Sequence, residues 1–202
     1  MRPCLPIPNA KSQGWPTPSR WRRALMLMAL IFSLLAPSSF SAEPVSKEYQ
    51  LKAAFLYNFT KFVMEWPTNR FATKESPITI GILGENPFGE ELARAVQDRN
   101  VNGRSFLVKT LKDASQSAQV DVLFVPRGQE DLFQKECPAL RTVGVLTVGE
   151  SPAFAAAGGL INFTTETDKI RFEINLDAAE QCGFKFSSQL LKVAKINRQK
   201  AP

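Results

Sequence analysis

The sequence predicts an α/β fold, a single-domain sandwich in which helices flank a mixed β-sheet. Three observations point there. Apolar runs bounded by turn residues alternate with helical patterns from Pro77 to Gly149, the order expected of strands separated by helices. Near the end, "LINFTTE" and "KIRFEIN" read as an antiparallel hairpin turning at Thr167-Asp168. Ahead of both lies "EYQLKAAFLYNFTKFVMEWP", Glu48–Pro67, whose apolar residues recur at helical spacing.

The first residues belong to none of these elements. Arg20, Arg22 and Arg23 precede the apolar run Ala24–Ala36, which leads into Pro37 and the small residues "SSFSA". That order is the pattern of a secretory signal peptide. The run is too short for a membrane core of about 30 Å at about 1.5 Å per helical residue. Residues 1–41 are therefore expected to be a signal peptide with an extended, Pro-rich n-region. Cleavage after Ser41 places Ser39 and Ser41 at the selective positions, whereas cleavage after Ala42 places bulky Phe40 there. The expected product is periplasmic, and its domain spans 46–198.

Within that domain Ser46 is the expected N-cap of the aromatic helix, with Glu48 in its first turn. Leu51, Phe55, Phe59, Phe62, Val63 and Trp66 set its apolar spacing. Lys52, Asn58, Lys61 and Glu65 interrupt the run, and Pro67 ends it. Those charges exclude a membrane span in the mature form. "PITIGILG" reads as a buried strand, and "ENPFGEELARAVQDR" as a loop and helix with Asn86-Pro87 at the helix start. Arg104–Leu111 and Val120–Pro126 are strands, "GQEDLFQKECPAL" a short helix, and Arg141–Gly149 a further strand. "ESPAFAAAGG" is a helical turn closed by glycines. "SSQLLKVAKI" is the C-terminal helix, with Ser187 as its cap.

Charge and composition exclude several functions. The full chain carries a net +6, but residues 1–41 hold five basic side chains and no acid. The remainder has 20 basic against 19 acidic residues. A nucleic-acid partner needs a retained basic patch, and none is expected. There is no His anywhere in the chain, which removes the commonest general base and metal ligand. No G-x-S-x-G, phosphate loop or acidic metal cluster occurs. The expectation is a protein that is not an enzyme and needs no cofactor or metal.

Cys137 and Cys182 are the cysteines left after the leader, 45 positions apart. A disulfide between them would stabilise by about 3–4 kcal/mol on the chain-entropy model, and two unpaired core thiols are the other reading. Glu85 and Asn86 follow the first long strand, where an α/β sheet can hold a ligand. Arg171, Glu173 and Asn175 form one polar stripe, alternating with Ile170, Phe172 and Ile174. These five residues, with Tyr57 and Trp66 on the aromatic helix, are the expected contacts for a partner or ligand.

Three ordered stretches carry a resemblance: Lys47–Pro67, "ITIGILGENPFG" at Ile78–Gly89, and Leu146–Ile196 with "LTVGESPAFAAAGGLINF" and "IRFEINLDAAEQCGFKFSSQLLKVAKI". Together they resemble the YfiR-like (DUF4154) family of exported proteins. The resemblance implies a periplasmic α/β domain, often a homodimer. It also implies repression of an inner-membrane diguanylate cyclase through that enzyme's periplasmic region, and so an effect on cyclic di-GMP and biofilm behaviour. A second reading is a periplasmic small-molecule binder or accessory protein of an outer-membrane uptake system.

Overall fold

A computed structural model describes residues 47–68 and 70–198. The expected leader, its cleavage site and the Ser46 cap lie outside these residues.

Helix α1 (Lys47–Phe62) places Glu48 in its first turn and Lys61 in its last, each complementing the helix dipole. Its buried face is Lys52, Ala53, Leu56, Phe59 and Thr60, rotated from the stripe the spacing suggests, since Leu51 is exposed. The helix stops at Phe62, earlier than Pro67. Val63–Glu65 is instead a short strand, β1, paired antiparallel with β8 (Lys185–Phe186).

The remaining strands form one mixed sheet among the described residues. They are β2 (Ile78–Leu83), β3 (Phe106–Leu111), β4 (Val122–Val125), β5 (Leu146–Gly149), β6 (Ile161–Glu166), β7 (Lys169–Asn175) and β9 (Lys195–Asn197), in the order β3-β2-β4-β5-β6-β7-β9. Strands β2 to β6 run parallel, β7 returns antiparallel to β6, and β9 lies parallel to β7. The chain steps from β2 outward to β3, then back past β2 to β4. That reversal puts a topological switch point at the carboxyl ends of β2 and β4.

Alternation along the strands feeds a core on each face. Ile78, Ile80, Ile82, Val122, Phe124, Leu146 and Val148 pack with α1, α2 (Glu91–Val96), α5 (Leu176–Gln181) and α6 (Ser188–Val193). Leu83, Leu123 and Val125 pack with α3 (Glu130–Val143) and α4 (Pro152–Ala156). Phe59 shows the density of the first core. Fully buried, it meets Phe172 edge-on at 4.9 Å and Phe163 at 5.5 Å, so Phe59→Ala should remove about 3–5 kcal/mol.

Three further boundaries differ from the sequence reading. Helix α3 runs to Val143, through Pro138, so only Leu146–Gly149 of the expected Arg141–Gly149 strand is extended. Cys137 and Leu140 bury against the second core, and that packing outweighs the hydrogen bond that proline removes. The C-terminal helix ends at Val193, because Lys195–Asn197 finds an open edge on β7. Asn86 caps a tight turn rather than a helix. Its Oδ1 accepts from the Phe88 amide at 2.9 Å and its Nδ2 donates to the Gly89 carbonyl at 3.0 Å, while α2 begins only at Glu91. The Thr167-Asp168 turn and the Ser187 cap are as expected, with Ser187 Oγ accepting from the Leu190 amide at 3.3 Å.

Candidate functional site

The carboxyl ends of β2, β4 and β5 are where a sheet of this order leaves room for a ligand. In this chain helix α1 occupies that room. Tyr49 sets its ring edge-on against Phe88 at 5.4 Å, and Phe88 in turn meets Phe124 of β4 at 4.8 Å. The Tyr49 hydroxyl donates to Glu150 Oε1 at 3.0 Å. Glu150 directly follows β5, and its side chain is almost fully enclosed.

Lys52 completes the arrangement. Its ammonium is buried, bonds both Glu150 Oε2 and Glu48 Oε1, and lies 4.7 Å from the Tyr49 ring centroid. Glu48 stands one turn before Lys52, the favourable order for a helical acid–base pair. The Arg127 amide, just past β4, donates to Glu150 Oε1 at 3.1 Å, and Arg127 Nε donates to the Glu150 carbonyl at 3.3 Å. Burial drives the Tyr49 phenol above its ordinary range, and the neighbouring Glu150 charge adds to the effect. At Gly84, which ends β2 with φ +77°, a Cβ would stand 2.8 Å from the Gln129 side chain. Side chains of α1 and of the loops after β4 and β5 thus meet at these strand ends. Chemically, the cluster fastens α1 to the sheet, and a buried pair of this kind is costly to leave half made.

The residues singled out from sequence do not gather at one place. Tyr57 is half-buried, edge-on to Phe106 at 5.7 Å, with the Arg99 guanidinium 4.7 Å above its ring. Trp66 packs edge-on against Phe71 at 5.3 Å and Phe184 at 5.6 Å. Glu85 is exposed and Asn86 serves its own turn. The β7 stripe divides. Arg171 is exposed, Glu173 accepts from Asn162 Nδ2 at 3.2 Å, and buried Asn175 caps α5 by accepting from the Ala178 amide at 3.1 Å. Cys137 and Cys182 are both buried and both free thiols, so the disulfide reading is not the state of this structure. Burial raises the pKa of each, opposed by the nearby Arg141 charge.

Sequence reasoning missed Lys52 and Glu150. A lysine inside an amphipathic run reads as a solvated interruption, and its partner lies 98 residues away. One signal was present: Glu150 directly follows the apolar strand "GVLTVG", where an acid is poorly placed for solvent. No metal-binding group of three or more His, Cys, Asp or Glu occurs among the described residues. No helix among them is long and apolar enough to cross a membrane.

Among curated protein sequences none matches this chain. Among solved structures it is similar to a conserved domain protein from Vibrio cholerae O1 biovar El Tor strain N16961. The TM-score is 0.51 at 12% identity, over 71% of this chain and 59% of that one, a likeness of fold. The chain therefore spans somewhat over half the length of that structure. It also overlaps an ABC domain in complex with L-Trp from Streptococcus pneumonia, with TM-score 0.44 and 15% identity over 59% of this chain and 55% of that one. The model of the YfiR/HmsC-like family, DUF4154, matches residues 49–195, from the tyrosine that touches Glu150 to the first residue of β9. The chain belongs to the YfiR/HmsC-like family.

Proposed function

We propose that this protein is a periplasmic regulator that holds an inner-membrane diguanylate cyclase in its inactive state by binding the cyclase's periplasmic region. The observation that carries this reading is the family match over 49–195, since the YfiR/HmsC-like family is regulatory and periplasmic rather than catalytic. The position of α1 supports it. With α1 fastened over the strand ends through Lys52 and Glu150, the usual ligand position of this sheet order is taken. Recognition then falls to the outer surface, where Met64 and Val193 are 68% and 66% exposed. No bond need be made or broken. A binder that favours the inactive conformer by about 2–3 kcal/mol shifts the equilibrium by roughly 30–150-fold.

Deleting the gene should raise cellular cyclic di-GMP, and an exported copy should restore it. A copy lacking residues 1–41 should not. Unchanged cyclic di-GMP in the deletion strain, with the candidate cyclase expressed, would overturn the reading.

A further inference from the structure

A groove of about 460 Å³ lies between α3 and α4, on the face of the sheet away from α1, and nothing in the regulatory reading uses it. Its floor is Cys137 and Arg141 from α3. Its walls are Pro138 and three alanines of the α4 segment, Ala153, Ala156 and Ala157. The volume is in the range of small-molecule sites, about 300–1,000 Å³.

Arg141 is the unusual member. Its Nη2 donates to the carbonyls of Ala157 and Gly158, each at 3.3 Å, which fixes the plane of the guanidinium. Its Nε is buried with no hydrogen-bond acceptor among the described residues. None of the ion pairs among the described residues includes Arg141. A half-buried guanidinium held in place by carbonyls, yet lacking an anion, is the inverse of the usual pairing rule. The backbone is shaped around it. At Gly158, with φ +88°, an added Cβ would lie 1.6 Å from Arg141 Nη2, so a side chain there would be strained by the backbone and would push the guanidinium aside. Above the charge the walls are methyl groups and a proline ring, which offer no hydrogen bonds. Gln134, one turn before Pro138 on α3, adds one amide to the lining.

We propose that this groove binds a compact organic carboxylate, its oxygens on Arg141 and its apolar body against Pro138, Ala153 and Ala156. A planar guanidinium suits a carboxylate's two oxygens, and the alanine walls select an apolar body over a hydrated inorganic ion. The proposal is independent of the cyclase reading, because its test uses the purified protein alone.

The probes are propionate and benzoate, each against its neutral amide, read by thermal unfolding and by calorimetric titration. At least one carboxylate should raise the unfolding midpoint while its amide leaves it unmoved. Arg141→Gln should abolish the shift. Because that variant also loses two carbonyl contacts, Ala156→Leu provides the second arm. Ala156 is exposed, so the leucine should fill the groove, abolish the carboxylate shift and leave the unliganded midpoint near that of the parent. The proposal fails if neither carboxylate binds, if acid and amide act alike, or if the shift survives Ala156→Leu. Sodium phosphate giving the same shift as the carboxylates would mark a general anion contact and would also overturn it.

Discussion

Lys52 and Glu150 form a buried ion pair between the first helix and the end of the fifth strand, across 98 residues of chain. The Lys52 side chain is 2% exposed and that of Glu150 1%. Two charges this enclosed lose most of their hydration, so their attraction largely offsets that loss rather than adding a surplus.

The consequence is an asymmetry between single and double substitution. Lys52→Met or Glu150→Leu alone should destabilise by about 3–5 kcal/mol, because each leaves a buried charge without its partner. Lys52→Met combined with Glu150→Leu should recover a large part of the loss. Urea unfolding of the four proteins measures the coupling, and strictly additive losses would show that the pair does not act as a unit.

Alkaline pH should loosen the same joint. The folded-state pKa of Tyr49 is raised above its ordinary 10.0, by burial first and by Glu150 second. A group raised in the folded state stabilises fully below its unfolded pKa, and that contribution disappears as pH climbs from there through the folded value. Stability should therefore fall more steeply above pH 10 in the parent than in Tyr49→Phe. Equal slopes for the two proteins would contradict the hydrogen-bonded, buried phenol.

The two thiols should be hidden in the reduced folded protein. Cys137 and Cys182 are 4% and 9% exposed, Cys137 donates to the Ala157 carbonyl at 3.3 Å, and burial raises both pKa values. A thiol reagent acting through the thiolate should label them slowly at neutral pH and rapidly once the protein is unfolded. Mass spectrometry counts the labels, and fast double labelling of the folded protein would refute the burial.

The hairpin turn offers a gain in stability. Thr167 and Asp168 both adopt positive φ, 48° and 57°, as a two-residue type I′ turn requires. For a β-branched threonine that conformation is strained, by roughly 1–2 kcal/mol. Replacing the pair with Asn-Gly should raise stability by about 1 kcal/mol. A neutral or negative result in chemical denaturation would mean the turn is relaxed by other contacts.

What the sequence determined by itself was the set of locally encoded elements. Strand "ITIGIL" carries its apolar run, the Thr167-Asp168 turn carries its flanking alternation, and the Ser187 cap carries its serine before an apolar helix. Each depends on neighbours within a few residues, and so did the mixed α/β architecture. Tertiary structure decided the rest. It continued α3 through Pro138 because Cys137 and Leu140 had a core to enter. It also drew Lys195–Asn197 out of a helical pattern onto the open edge of β7. It took Asn175 from a surface stripe and made it a buried cap. Above all it turned Lys52 inward to Glu150. A charged side chain in an amphipathic run carries no mark of its partner. Whether it faces water or an acid depends on which strand end the helix crosses, and only the assembled sheet fixes that crossing.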